Sequence, residues 1–345
     1  MRRLFILLTF ISLLVAPAAR AISFNLDSIA EWGKFPRFCI NTYRWGDRFF
    51  NTYDSLYVMG TGTKFNVKAT QDSYIDYYRF ILKDGTSVFM QSDPSTSVGV
   101  HLTYLAVSVG YDINVSHLLG FASQARSRYN FGFNCALLGV EFYMENNDIG
   151  THIKRFGDLH HLKLPFEGIK SNGWGLDLYY FFNNKRYSQA AAFSFSKLQK
   201  RSQGSFYAGL SIFNQAYDFD FNQLQSSLQE QLPEEWIDRH YRTNTRNYGF
   251  RFGYGYNLVL PHNWTIAAAI SPTIGFKKGF VNSQTEGWDF MFYNRLRGSV
   301  VWNHGPWFIG GVLSSNMAIV SDKRTTFLGT EISASGAVGY RFNLW

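Results

Sequence analysis

The carboxy-terminal residues 327–345 alternate between two kinds of side chain. From Leu328 onwards every second residue is mostly apolar, and the residues between them are small, polar or charged. A β-strand points successive side chains to opposite faces, so this pattern predicts one long two-faced strand. Such strands are typical of transmembrane β-barrels, where one face contacts lipid and the other lines a polar lumen.

The same alternation recurs upstream and predicts an all-β fold, a transmembrane antiparallel β-barrel of roughly 12 strands within a range of roughly 10 to 14. The predicted strands are Tyr57–Ala69, Tyr74–Leu82, Ser97–Asn114, Arg128–Glu145, Asn172–Phe182, Tyr187–Leu198, Ser205–Phe219, Asn247–Val259, Trp264–Phe276, Trp288–Trp302, Trp307–Ile319 and Phe327–Leu344. The third and the fourth change phase midway, and we interpret the change near Thr103 as a β-bulge. Closure is expected because hydrocarbon offers no hydrogen-bond partner to an open sheet edge.

One long segment conflicts with this strand order. If Trp345 lies on the periplasmic side, the turns at Pro261 and Gly305 lie there too, and the loop 220–243 lies outside, as barrels require. The loop carries leucines every four residues, which predicts a short amphipathic helix. Segment 146–171, however, falls on the short-turn side. Either a strand such as Thr151–Phe156 is missing from the prediction, or one of the early strands is false.

The phase of the alternation assigns charged side chains to the inner face, where water or an opposite charge would meet them. The lumen-facing candidates are Asp112, Asp177, Arg251, Asp289, Arg295, Arg297, Glu331 and Arg341. An arginine turned towards lipid at mid-membrane would cost roughly 2–4 kcal/mol, so the inward assignment is the favoured one.

The amino terminus predicts export. Residues 1–21 have a charged start, a short apolar run and the cleavage pattern Ala19-Arg20-Ala21 of a secretory signal peptide. Residues 22–55 form a lead or plug segment with a short helix around Leu26–Trp32, and residues 56–345 form the barrel. Within residues 44–54 a dense mixture of charges and rings indicates either a partner-binding loop or a plug that closes the barrel. Its key residues are Trp45, Gly46, Asp47, Asn51 and Asp54.

Composition narrows the class of protein. Aromatic residues make up 18% of the chain, in keeping with lipid-facing rings and interfacial girdles. The net charge of +8 comes from scattered residues without a basic run, so we expect no nucleic-acid partner. Outer-membrane lipid is the expected partner, the bacterial outer membrane the expected location, and the oligomeric state is open. The two cysteines, Cys39 and Cys135, permit one disulfide or two free thiols.

Catalytic and metal-binding patterns are weak. Ser116-His117 and Ser97 with His101 supply the residue types of a hydrolase, yet no local nucleophile motif such as G-x-S-x-G surrounds them. His152, His160 and His161 match no zinc spacing, so the prediction includes no metal and no cofactor.

Several short stretches resemble a domain-of-unknown-function family of outer-membrane β-barrels from Bacteroidota. The likeness rests on Trp45-Gly46-Asp47, Asn51-Thr52-Tyr53-Asp54, the stretch Ser97–Asp112 and the ending Gly339-Tyr340-Arg341-Phe342. The resemblance implies a fold and a location but no reaction. We therefore expect a non-enzymatic barrel, either a narrow channel or a filled barrel with a structural or surface-binding role. The alternative is a lipid-modifying hydrolase or acyltransferase of the outer membrane.

Overall fold

The computed structural model describes residues 33–50, 52–82, 84–104, 107–118, 126–148, 150–167, 169–224, 226–230, 240–281, 284–321 and 325–343. Its α-helices are α1 (Lys34–Phe50), α2 (Val115–Leu118) and α3 (Ser226–Gln229). Its strands are β1 (Val58–Gly60), β2 (Phe65–Leu82), β3 (Ser87–Ser92), β4 (Ser95–Tyr104), β5 (Val107–Asn114), β6 (Arg126–Asn134), β7 (Leu138–Asn147), β8 (Thr151–Phe156), β9 (Leu164–Phe166), β10 (Ile169–Phe181), β11 (Lys197–Gln199), β12 (Gln203–Asp220), β13 (His240–Leu260), β14 (Trp264–Val281), β15 (Gln284–His304), β16 (Trp307–Ser321) and β17 (Thr325–Phe342). The signal peptide and the helix expected around Leu26–Trp32 lie outside the described residues, as does Trp345.

A closed antiparallel barrel forms the body of the protein. Going round the sheet, the strands follow in the order β2, β4, β5, β6, β7, β10, β12, β13, β14, β15, β16 and β17. The last strand pairs with the first along its whole length, from Phe342 beside Phe65 to Thr325 beside Leu82. This β17–β2 pairing, which we call the seam, leaves the twelve-stranded sheet without a lateral edge. The predicted fold class and strand number are confirmed.

Several predicted strand boundaries are nevertheless wrong. Tyr57–Ala69 and Tyr74–Leu82 are not separate strands, because β2 runs through the polar residues 70–73 between them. The phase changes mark hairpins rather than bulges. Tyr104 pairs directly with Val107, and Thr103 pairs with Ser108 in regular register. Likewise Arg128–Glu145 contains two strands, β6 and β7, joined at residues 135–137.

Tyr187–Leu198 is the fourth error, since this segment is not a barrel strand. Its alanine-rich centre, Ala190–Ser194, forms a short π-helix, and only β11 at its end is extended. With these corrections the segment between β7 and β10 lies at the same end of the barrel as the other long loops. The conflict with the rule that short turns share one end is thereby removed. Thr151–Phe156 is indeed a strand, β8, but it pairs with β3 outside the barrel.

The two ends of the barrel differ. The turn end carries the connections at residues 105–106, 135–137, 182–202, 261–263 and 305–306, together with both ends of the barrel sheet. The loop end carries the longer connections and an extension of the sheet, in which β3 pairs with β2, β8 with β3 and β9 with β8. The predicted loop helix corresponds to α3, and its second half lies outside the described residues.

The outer surface is apolar. Leu210, Phe250, Ile270 and Leu313 are among many outward side chains that are 46–65% exposed. Aromatic pairs mark its margins: Trp264 with Trp302 and Trp307 with Tyr340 at the turn end, and Tyr248 with Trp288 towards the loop end. On β14 the outward residues from Trp264 to Phe276 span roughly 30 Å at the usual rise and tilt. So wide an apolar band belongs in hydrocarbon rather than in water. Among the described residues, no helix is long and apolar enough to cross a membrane.

Candidate functional site: the barrel interior

A segment of the chain itself fills the turn end of the barrel. We call residues 182–202, which connect β10 to β12, the plug. Its three alanines, Ala190 to Ala192, are at most 3% exposed. Phe195, held in a left-handed conformation (φ 58°), packs against Val301, Phe308 and Ala337 of the barrel wall. The side chains that would otherwise line a pore mouth therefore contact the plug.

Polar anchors hold the plug from several sides of the barrel. Arg341 of β17 donates two hydrogen bonds, of 3.0 and 2.6 Å, to the carbonyl oxygen of Phe195. Asn257 of β13 donates to the carbonyl oxygen of Ser188 (2.9 Å) and to Oε1 of Gln199 (3.0 Å). Because the anchors stand on strands far apart in the sheet, the plug is fixed across the interior rather than hinged at one wall.

Residues 52–60, which we call the strap, join the plug to the amino-terminal segment. β1 of the strap pairs with β11 of the plug. The backbone N–H of Asp54 donates to Lys185 (2.8 Å), and that of Lys200 donates to Tyr57 (2.7 Å). The Asp54 carboxylate lies 3.8 Å from Nε of Arg186. Burial raises the pKa of the Tyr53 phenol, which keeps this ring neutral inside the contact.

The amino-terminal motif residues are thus dispersed. Asp54 belongs to the strap, whereas Trp45 and Gly46 lie in α1, where Trp45 is 63% exposed. Asn51 and the side chain of Asp47 lie outside the described part of the chain. An amino-terminal plug stays an expectation; the segment found inside the barrel is residues 182–202, part of which the alternation pattern assigned to a strand.

A network of charges crosses the middle of the barrel. Arg251 of β13 contacts Asp177 of β10 at 2.7 Å, and Arg295 of β15 contacts Glu141 of β7 at 2.9 Å. Arg295 also lies 3.5 Å from Asp177 and Arg297 3.3 Å from Glu141, so the two pairs form one network. None of these ion pairs joins two strands that are neighbours in the sheet. The ion pairs therefore bridge the lumen and compensate charges that would be costly to bury alone.

A second group of charges lies nearer the loop end. Arg128 of β6 lies 3.6 Å from Glu331 of β17 and 4.0 Å from Glu145. Glu331 also accepts a hydrogen bond of 2.9 Å from Asn316. A cavity of about 60 Å³ remains beside these side chains.

Aromatic rings close the loop end. Phe80, Phe219, Tyr241 and Phe327 project from four barrel strands and are fully buried. Their ring centroids lie 4.9–6.2 Å apart. Phe156 of β8, Phe166 of β9 and Phe221 after β12 also belong to this cluster. Among the described residues the lumen is therefore occupied by the plug at one end, ion pairs in the middle and rings at the other.

The eight charged candidates occupy different places in this interior. Asp177, Arg251, Arg295, Arg297 and Glu331 belong to the charge groups just described, and Arg341 anchors the plug. Asp112 is buried beside His101, whose Nε2 lies 3.2 Å from its carboxylate. Asp289 differs: it lies on the inward phase of β15, but its side chain is 45% exposed and pairs with Lys277 at 3.3 Å.

Several interior residues were not among the candidates, notably Arg128, Glu141, Glu145 and Tyr179. Tyr179 donates a 2.6 Å hydrogen bond to Glu141. Glu141, Tyr143 and Glu145 share one phase of β7, so the signal was present, but the unrecognised hairpin obscured which face was inward. His101, Asp72 and Lys68 line a second cavity of about 190 Å³. In the described part of the chain, His152, His160 and His161 form no metal-binding group.

Of the two cysteines, the structure describes the side chain of Cys135 only. Cys135 is a buried free thiol in the turn between β6 and β7, and its sulfur contacts the backbone of Leu138 at 3.2 Å. Burial raises the pKa of this thiol. The side chain of Cys39 lies outside the described side chains.

Comparisons with known proteins identify a family but no activity. Residues 52–342 match the family model "Domain of unknown function (DUF4421)". No curated protein sequence matches the chain. Among solved structures it is similar to the outer membrane protease OmpT from Escherichia coli (6% identity, TM-score 0.36, 81% of this chain and 96% of that chain). It is also similar to the P. putida toluene transporter TodX (8%, 0.30, 86% and 98%) and the translocator domain of the autotransporter NalP from Neisseria meningitidis (13%, 0.39, 81% and 89%). Likeness at this level says nothing about what this chain binds or cleaves.

Proposed function

The chain belongs to the DUF4421 family, a domain of unknown function, and we propose that it is a filled barrel of the bacterial outer membrane that does not conduct solutes in the described state. The observation that carries this proposal is the plug: it occupies the turn end and is hydrogen-bonded to strands on different sides of the wall. The family model matches the chain from residue 52 onwards. Trp45-Gly46-Asp47 therefore lies outside the matched region. The origin in Bacteroidota stays an expectation.

The interior chemistry supports a structural role over transport. A pore for hydrated solutes needs a continuous aqueous path, whereas Arg251, Arg295 and their carboxylate partners cross the lumen and the aromatic cluster fills its loop end. The sheet extension of β3, β8 and β9 stands on that cluster. We therefore propose that the barrel presents this extension at the cell surface as a rigid binding platform.

Planar-bilayer recording tests the non-conducting barrel. The purified protein should give no conductance steps above background. A variant in which a short Gly/Ser turn replaces residues 184–203 and alanines replace Phe80, Phe219 and Tyr241 should give well-resolved steps, because both closed ends of the lumen are then opened. Phe181 already pairs with Tyr207, so the two strands can be joined directly. Asp54→Asn, which removes one ion pair of the strap and leaves the plug present, is the matched control and should stay silent. Regular steps from the unaltered protein would contradict the proposal and favour a narrow channel.

The proposed location has its own test. Amino-terminal sequencing of the protein recovered from the outer-membrane fraction should begin at Ile22, because cleavage is predicted after Ala21. Extraction by salt without detergent would contradict membrane insertion.

A further inference from the structure

The cavity of about 190 Å³ has no part in the filled-barrel proposal. It is bounded by β2, β4, β5 and β6 on one side and by β15, β16, β17 and Phe195 of the plug on the other. Its charged lining residues are Lys68, Asp72, His101, Asp112, Arg128 and Arg297. A volume of this size holds about six water molecules at liquid density. Charged side chains and apolar residues such as Phe193 and Val312 line the cavity together.

Three side chains in this chamber present metal-binding atoms to one another. One ligand atom each from Asp72, His101 and Asp112 lies within 4.8 Å of the other two. Nε2 of His101 is 3.2 Å from Oδ1 of Asp112, which also lies 3.5 Å from Oγ1 of Thr70. The three residues come from three consecutive strands of the sheet, so the rigid wall fixes their positions.

Two glycines give these side chains their room. A Cβ added to Gly99 would collide with the carboxylate of Asp112, and one added to Gly110 would collide with the imidazole of His101. Each ligand therefore lies flat across a glycine of the neighbouring strand. A larger residue at either position would push the ligand out of the group.

We propose that Asp72, His101 and Asp112 bind one divalent transition-metal cation, with Zn²⁺ as the representative ion. Imidazole nitrogen and carboxylate oxygen are ligands that Zn²⁺ accepts at about 2.0–2.2 Å, and two carboxylates this close favour a cation between them. Oγ1 of Thr70, 3.5 Å from Oδ1 of Asp112, offers a further oxygen atom. The ammonium group of Lys68, 5.6 Å from the Phe195 ring centroid, lines the same chamber and competes for the carboxylates.

Zn²⁺ titration of the full chain, stripped with EDTA in detergent, tests this site. Isothermal calorimetry and elemental analysis after desalting should give one Zn²⁺ per chain. His101→Gln and Asp112→Asn should each weaken binding at least ten-fold. Lys68→Gln should strengthen binding about ten-fold, because it removes the competing positive charge. His152→Gln is the matched control: His152 pairs with Asp93 at 3.1 Å on the surface, and no third ligand joins them among the residues that the structure describes. Its loss should change nothing.

Three results would overturn the proposal: no Zn²⁺ on the unaltered chain, unchanged affinity in His101→Gln, or an equal loss in His152→Gln. Heat-modifiable migration on gels separates folded barrels from unfolded variants. Should His101→Gln fail to fold, Asp72→Asn and Lys68→Gln test the site instead. Zn²⁺ should bind more weakly to Asp72→Asn and more tightly to Lys68→Gln. Co²⁺ in place of Zn²⁺ adds a visible absorption band that depends on the His101 ligand.

Discussion

At the scale of single residues, Asp177 shows how strongly the interior depends on charge balance. Its side chain is 4% exposed, accepts a hydrogen bond from Ser211 and lies between Arg251 and Arg295. Asp177→Ala leaves two buried guanidinium groups short of a partner. We expect a loss of roughly 3–5 kcal/mol in the free energy of unfolding, because an uncompensated buried charge is costly. Urea unfolding in lipid vesicles, followed by tryptophan fluorescence, measures it.

The matched control is Asp218→Ala. Asp218 is 40% exposed and pairs with Arg242, which is 46% exposed, at 3.2 Å and with Nδ1 of His240 at 2.9 Å. An exposed pair contributes at most about 1 kcal/mol. Equal losses in the two variants would show that the interior network is not desolvated.

Cys135 gives a second residue-scale prediction. Its thiol is 3% exposed, and burial raises its pKa, so little thiolate forms near neutral pH. In a Cys39→Ser background, Cys135 should react with a maleimide at least ten-fold more slowly in the folded barrel than in urea. Comparable rates in both states would mean that the turn at residues 135–137 is open to solvent.

At the scale of secondary-structure elements, β17 combines two kinds of glycine. A Cβ on Gly339 would collide with the ring of Phe308, whereas a Cβ on Gly336 meets nothing within 4 Å on the outer face. Gly339→Ala should therefore lower the free energy of unfolding by about 1–3 kcal/mol through overpacking at the plug. Gly336→Ala, three residues away on the same strand, should be neutral within about 0.5 kcal/mol. Urea unfolding in lipid vesicles compares the two variants. A larger loss in Gly336→Ala would mean that Gly336 faces the interior and Gly339 the lipid, which would contradict the structure.

The same scale shows what the sequence could reveal. Long strands such as β13 and β17 have one apolar and one polar face, so their alternation was clear. In β2 the pattern fails at residues 70–73, because Gln71 and Ser73 are polar on the outer face too and bond to each other at 3.1 Å. Hairpins as tight as Tyr104–Val107 leave only a phase change in the sequence.

The contacts in the barrel interior were harder to predict from the sequence than the strands of the barrel wall. Alternation identifies inward charges such as Arg251 but not their partners, which depend on which strands face each other across the lumen. The plug escaped prediction because its apolar residues, Ala190 to Phe195, contact barrel side chains instead of lipid. A local pattern cannot distinguish these two apolar surroundings. His101 and Asp112 lie 11 residues apart on paired strands, a proximity that only the hairpin register reveals.

At the scale of the whole molecule, the position in the bilayer can be tested on the outer surface. Ile270 is an outward residue near the middle of β14, 46% exposed, and Leu260 ends β13 at the turn end. Ile270→Arg should cost roughly 2–4 kcal/mol of unfolding free energy in vesicles, because mid-membrane hydrocarbon does not solvate a guanidinium group. Leu260→Arg should cost roughly 0–1 kcal/mol, since a charge at the margin reaches the lipid headgroups. Equal costs would contradict the proposed depth of insertion.

The seam also has a consequence for biogenesis. β2 begins at Phe65, and its partner β17 is synthesised after all the other barrel strands. An exported chain that stops short of β17 keeps two sheet edges with unpaired backbone groups, so it cannot insert stably into the bilayer. The chain must therefore be exported through β17, in a soluble and unfolded state, before insertion into the membrane is completed. A nonsense mutation anywhere before Thr325 should consequently send the product to periplasmic proteolysis rather than leave a shortened barrel.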